Sequence, residues 1–205
     1  MLRNRLFRSG LIVGFIIFCT VMGIMFAVPL MLSGVKGLST DMIGWVLFPS
    51  AISAVLFGPI GGGLADKKGN PFVVTIGVAL LISSLLLVST LISFQPWLIS
   101  ISMVLTYIGF SFIQTAIANS VSQTLSPQET GIGMGLFNLV GFISGAVGTA
   151  VVGRALDEKL FSFPLNPLVT DSGAWMYSNL LLLFSLIIMV GATVYYLSYG
   201  RAAKS

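Results

Sequence analysis

The sequence predicts an all-α membrane protein of six transmembrane helices, and three observations carry that prediction. Only 8% of its 205 residues are charged and 56% are hydrophobic, whereas a soluble domain is about 25% charged. A surface of that composition suits a lipid bilayer. The apolar runs also match a membrane crossing, which takes about 20 mainly apolar residues. Six runs qualify, at 9–32, 42–65, 71–93, 97–118, 131–153 and 175–198. Finally, blocks such as Leu80-Leu81-Ile82 and Leu85-Leu86-Leu87-Val88 are continuously apolar, whereas a barrel strand alternates polarity over about ten residues.

Met1 to Arg8 is a basic lead into the first span. That span is too long for the apolar region of a signal peptide, and no small-residue cleavage pattern follows it, so it is read as a retained helix. Pro29 near its outer end bends the helix or marks its fraying last turn. Ser33 to Asp41 is a short outer loop in which Ser39 or Thr40 suits an N-cap and Asp41 suits the positive helix start. The second span runs into Gly61-Gly62-Gly63-Leu64-Ala65-Asp66-Lys67-Lys68-Gly69-Asn70-Pro71, a tight turn. The link from Phe94 to Trp97 is so short that the third and fourth spans must be antiparallel neighbours. Ser120 to Thr130 is a polar connection, the fifth span is glycine-rich, and Arg154 to Ala174 is the longest loop. No soluble domain or linker interrupts this order, and the chain reads as one bundle over 1–205.

Six spans place both termini on one side. Arg3, Arg5, Arg8, Lys67, Lys68, Arg201 and Lys204 fall there, against Lys36, Arg154 and Lys159 opposite. The excess of lysine and arginine marks that side as cytoplasmic. The net charge of +4 is therefore a topology signal and gives no reason to invoke nucleic acid. Tyr195, Tyr196 and Tyr199 suit an interfacial aromatic belt.

Enzyme chemistry finds little support. The chain has no histidine and a single cysteine, Cys19. That removes histidine-activated nucleophiles and most zinc sites. Gly109-Phe110-Ser111 superficially offers a nucleophilic serine, but no base stands ready for it. No metal site and no cofactor is expected.

The strongest local pattern is Gly62-x-x-x-Asp66-Lys67-Lys68-Gly69 between the second and third spans. Glycines let helices approach closely at the membrane edge. Asp66 suits the positive end of a neighbouring helix. Such a turn is either an ordinary tight connection or a fastener for one conformational state. The pattern resembles the signature loop of the major facilitator superfamily, in which Gly, Asp, a basic residue and Gly recur at this spacing. Gly62, Asp66, Lys67 and Gly69 match it, and Asn70 stands where a basic residue is usual.

More of the chain is similar to that family. Leu38-Ser39-Thr40 with Ile43-Gly44 resembles the entry to such a second helix, and Pro127-x-Glu129-x-Gly131-x-Gly133 resembles the entry to a fifth. Arg3-Asn4-Arg5-Leu6-Phe7 resembles the segment before the C-terminal bundle of 14-helix drug:proton antiporters. Tyr177-Ser178-Asn179-Leu180 through Phe184-Ser185 resembles the last helix of Gram-positive tetracycline-efflux proteins.

The resemblance implies a six-helix half-bundle of the major facilitator fold, with an inverted repeat of three plus three helices. The two halves of the chain share no clear sequence identity. It implies the C-terminal half of a proton-coupled exporter of small amphipathic compounds in the plasma membrane. The expected partners are lipid, a small-molecule substrate, and an N-terminal six-helix bundle or a second copy. The alternative is a truncated, non-transporting or self-associating bundle. The first and fourth helices of each half would line the cavity, so Tyr107, Ser111 and Gln114 are its candidates, with Asn138 on the fifth span. Interhelical hydrogen bonding is their structural alternative.

On the fifth span, Gly131/Gly135 and Gly141/Gly145 permit close helix contact. Gly141, Gly145 and Gly148 resemble a degenerate antiporter motif, with Ala146 where a proline would stand. Asp41, Asp66, Glu129, Asp157, Glu158 and Asp171 all lie at helix ends or in loops. A mid-membrane carboxylate is the usual proton relay, so a proton-carrying one is expected in the other half. Tetracycline exporters carry, by the resemblance, a glutamate near the position of Gly145. Glycine there argues against tetracycline as substrate.

Overall fold

A computed structural model describes residues 3–200. Arg201 and Lys204, counted above on the cytoplasmic side, lie outside the described residues. The described residues form six helices: α1 Arg5–Gly34, α2 Thr40–Lys68, α3 Asn70–Leu91, α4 Pro96–Ser122, α5 Thr130–Asp157 and α6 Ser172–Tyr199. All six are long and apolar enough to cross a membrane, and there is no strand among the described residues.

Most of the helices outrun their apolar stretches, and polar side chains cap the starts of α1, α2 and α6. Asn4 Oδ1 accepts from the Leu6 N–H at 2.9 Å and starts α1. Ser39 Oγ accepts from the Met42 N–H at 3.5 Å, and Asp171 from the Gly173 N–H at 2.9 Å. Pro71 and Pro96 occupy first turns, where a missing N–H costs nothing. Arg154, assigned above to the loop, belongs to the last turn of α5 and pairs with Glu158. Pro29 stays inside α1, which continues to Gly34. Pro49 and Pro59 likewise lie inside α2.

α4 packs on α2 and α3, α1 packs on α5 and α6, α3 meets α6, and α1 crosses α4. This pattern is unchanged when each helix is exchanged for the one three places along. Successive spans alternate direction, so α1–α3 and α4–α6 form an inverted pair of three-helix repeats. Burial follows from it. The most apolar stretch of α1 is 56% buried, whereas those of α2 and α5 are 11% and 22% buried.

The two buried serine hydroxyls of α3, on Ser84 and Ser89, bond between helices. Ser84 Oγ donates to the Ser102 carbonyl at 2.5 Å and meets Thr106 Oγ1 at 2.6 Å. Nearer the C-terminal end of α3, the Ser89 and Ser178 hydroxyls are 2.7 Å apart, and Asn166 Nδ2 donates to Ser89. Asn179 Nδ2 donates to the Phe161 and Phe163 carbonyls, both at 2.7 Å. These bonds hold the 158–171 loop over α3 and α6, including the left-handed backbone at Lys159 and Phe161.

The tyrosines at the end of α6 correct the belt expectation. Tyr195 is 0% and Tyr199 8% exposed, and only Tyr196, at 36%, reaches the surface. The Tyr195 hydroxyl meets Ser120 Oγ at 2.8 Å, and Tyr199 donates to the Leu6 carbonyl at 2.7 Å. Asn4 Nδ2 also donates to the Thr124 carbonyl. The ends of α1, α4 and α6 are thus stitched together, because a buried hydroxyl must find a partner inside the bundle.

Candidate functional site

A groove of about 370 Å³ runs between α1, α4 and α5. α1 contributes Phe18 and Met22, α4 contributes Phe110 and Gln114, and α5 contributes Asn138, Gly141, Phe142, Gly145, Ala146 and Thr149. Phe18 organises its floor. Its ring meets Phe110 edge-to-face at 5.8 Å and Phe137 at 5.6 Å. Phe142, 80% exposed, stands at the rim. Among the described residues, no charged side chain lines the groove.

Of the four cavity candidates, Gln114 and Asn138 come together here, from α4 and α5. Both are exposed, and neither carboxamide hydrogen-bonds within the described residues. Tyr107 and Ser111 are not among the walls. Tyr107 is half-buried against the apolar core, and Ser111 Oγ faces Gly58 of α2. The reason is geometric. α4 lies between α2 and α5, and at 3.6 residues per turn Ser111 is rotated about 60° from Gln114. One face of α4 therefore serves two neighbours.

Gly141 and Gly145, expected to pack helices, also form part of the groove. A Cβ at Gly141 would lie 3.2 Å from the Phe18 ring, and one at Gly145 3.2 Å from Met22 Cγ. A Cβ at Gly148 would overlap the Cys19 carbonyl oxygen. Gly131 and Gly135 are different: nothing lies within 4 Å of a Cβ at either. Their spacing permits close contact, but no helix approaches that side of α5.

The α2–α3 turn is equally specific. Gly69 has φ 85° and ψ 154°, and its N–H donates to the Ala65 carbonyl at 2.8 Å. Only glycine takes this backbone shape readily. Gly69→Ala is expected to cost about 1–3 kcal/mol, read as a lowered unfolding midpoint in detergent. An unchanged midpoint would mean that the turn relaxes freely. The close contact expected at Gly62 falls instead at Gly61, whose Cβ would lie 2.8 Å from the Phe112 ring, against 3.9 Å from Thr115 for Gly62. Asp66 is exposed in the last turn of α2, with Lys67 and Lys68 beside it. The lysines complement the negative helix end, and an aspartate there does not. Asn70 is buried and accepts from Asn119 Nδ2 at 3.0 Å, so the position where a basic residue is usual carries a neutral amide contact.

Residues 1–149 match the family profile of the Major Facilitator Superfamily. The chain belongs to that superfamily. Its similarity to individual members is moderate. It is 28% identical over 161 residues to the riboflavin transporter RibZ of Clostridioides difficile, covering 78% of this chain and 35% of that one. It is 24% identical over 161 residues to the multidrug transporter protein MdtP of Bacillus subtilis, covering 78% and 30%. It is 27% identical over 147 residues to the lincomycin resistance protein LmrB of Listeria monocytogenes, covering 71% and 31%. The chain thus spans about a third of the length of these relatives.

This member of the Major Facilitator Superfamily also has contacts that its sequence did not single out. Gly77 and Gly109 face each other across α3 and α4, with a Cβ at either less than 3 Å from the other's carbonyl oxygen. Neither belongs to a paired small-residue motif, and a lone glycine in an apolar run carries no sign of its neighbour. The groove's phenylalanines are hidden for a similar reason. Along a sequence, an aromatic ring facing a cavity looks like one facing lipid.

Proposed function

We propose that the chain is the C-terminal six-helix half of a secondary active transporter that exports small amphipathic compounds or drugs in exchange for protons. In this reading it sits in the plasma membrane with both termini cytoplasmic. The observation that carries the reading is the aromatic groove with two unpaired carboxamides, beside the largely unburied helices α2 and α5. A multidrug transporter and a lincomycin resistance protein among the relatives support it.

An N-terminal bundle, or a second copy of this chain, would cover the exposed faces that include Trp45, Val55 and Phe142. Rocking of the two bundles would expose the groove to either side in turn. Gln114 and Asn138 would hold the substrate, with Tyr107 and Ser111 adjusting α4 against α2. Asp66, which has no partner among the described residues, would pair with the positive helix end of the partner bundle in one state, with Gly62, Lys67 and Gly69 shaping that loop. Gly141, Gly145 and Gly148 would keep α5 close to α1 during the movement. The proton-carrying carboxylate would come from the partner, since the six acidic residues here all lie near helix ends or in loops.

Proteoliposomes with an imposed pH gradient test this, using the chain alone and the chain joined to an N-terminal superfamily bundle. Dye transport is expected only for the joined form, and collapse of the gradient should stop it. Gln114→Leu should slow it about 2–10-fold, the value of a single hydrogen bond, at unchanged protein level. Transport that persists after the gradient collapses would refute proton coupling. Transport by the chain alone would refute the need for a second bundle. No transport in either form would favour a non-transporting, self-associating bundle.

A further inference from the structure

We propose that the α1–α4–α5 groove selects uncharged, planar aromatic heterocycles that present a lactam or imide edge. This deepens the transporter reading above and rests on it. Three features of the groove converge on that chemistry.

The first is the absence of charge. Among the residues lining the groove there is no Asp, Glu, Lys or Arg. A ligand with a fixed charge would lose hydration and gain no countercharge from this wall. The second is the supply of aromatic faces. Phe18 lies at the floor of the groove, Phe110 lines its wall and Phe142 stands at its rim, and flat ring systems gain most from such surfaces through stacked or edge-to-face contact.

The third feature decides the polar part of the ligand. Hydroxyls on α5 are already committed: Thr149 Oγ1 donates to the Gly145 and Ala146 carbonyls at 3.1 and 3.0 Å, and Ser144 Oγ donates to the Gly141 carbonyl at 2.8 Å. The side-chain hydrogen-bonding groups left over are the carboxamides of Gln114 and Asn138, on facing helices of one groove. Each carboxamide offers an N–H donor and a carbonyl acceptor side by side. The matching ligand edge has an N–H adjacent to a C=O. An imide fits both residues at once: its N–H and one carbonyl pair with one carboxamide, and its second carbonyl accepts from the other. A site that hydrogen-bonds a ligand N–H discriminates strongly against the analogue lacking it, because its own polar groups are then left unpaired.

Naphthalimide, which is planar, fluorescent and carries a free imide N–H, tests this against N-methylnaphthalimide. The full chain is held in lipid nanodiscs and binding is followed by fluorescence. Saturable binding of naphthalimide is expected, with the N-methyl compound about 10-fold weaker. Gln114→Leu and Asn138→Leu should each weaken naphthalimide binding several-fold and weaken the N-methyl compound, which keeps its carbonyls but has no N–H to donate, distinctly less. Both side chains are exposed, so neither replacement should disturb folding, and the N-methyl ligand reports on that. Equal binding of the two ligands, or equal weakening of both by the variants, overturns the inference, as does the absence of saturable binding. If the ligands bind equally and Gly145→Leu, which fills the groove, removes both, only the imide selectivity fails and the transporter reading stands. If Gly145→Leu leaves their binding unchanged, the groove is not the binding site and that reading loses its main support.

Discussion

Gly148→Val is expected to leave almost no folded bundle. A Cβ at Gly148 would overlap the carbonyl oxygen of Cys19, and the Cys19 carbonyl carbon would lie 2.9 Å away. Both are backbone atoms of α1, so no rotamer change makes room and the two helices must move apart. The same contact line continues at Gly14 and Gly23. A Cβ at either would lie 2.9 Å from an α5 side chain, Phe137 or Val152 respectively. Lipid offers no hydrophobic drive for helix association, which depends on close packing instead. Overpacking ordinarily costs about 1–3 kcal/mol, and a backbone overlap at a helix crossing should exceed that. Gly145→Ala provides the contrast. Its new methyl meets Met22 Cγ at 3.2 Å, on a flexible side chain, so a loss under about 1 kcal/mol is expected. Thermal unfolding in detergent separates the two. A Gly148→Val chain that unfolds at the wild-type midpoint would show that α1 and α5 do not approach as described.

The membrane class and the six-helix architecture were legible because lipid imposes long, unbroken apolar runs, and composition reports those directly. Helix ends were less legible. α5 runs past Gly153 because Arg154 and Glu158 pair along its surface, and polar residues in a helical turn look the same as polar residues in a loop. Facing was the hardest property to read. The Gly131/Gly135 and Gly141/Gly145 pairs have identical spacing, yet only the second meets a neighbour, because a motif fixes distance along one helix and says nothing about the next. The same limit split the polar stripe on α4. Gln114 turns to α5, Ser111 turns to α2, and both look equivalent along the chain. Tyr195 and Tyr199 suit an interfacial belt by their place near a helix end, but α6 turns them inward onto Ser120 and Leu6.

A second large loss is expected at the α3–α4 crossing, from Gly109→Val. A Cβ at Gly109 would lie 2.7 Å from the Gly77 carbonyl oxygen and 3.1 Å from the Leu81 N. Reciprocally, a Cβ at Gly77 would lie 2.8 Å from the Gly109 carbonyl oxygen. Both helices present backbone here, so the branched side chain should force them apart and break the bonds from Ser84 to Ser102 and Thr106 as well. The expected cost is more than about 3 kcal/mol, above the usual overpacking range. Ser84→Ala alone should cost only about 0.6–1.7 kcal/mol, as interhelical hydrogen bonds in membranes do. The decisive comparison is between Gly77→Ala, Gly109→Ala and the double replacement. Once one methyl has spread the crossing, the second meets less resistance, so the double variant should fall short of the summed single losses by at least about 0.5 kcal/mol, the scale of coupling between residues in contact. Strict additivity would place the two glycines in separate contacts and remove the shared crossing as the reason α3 and α4 pack so closely.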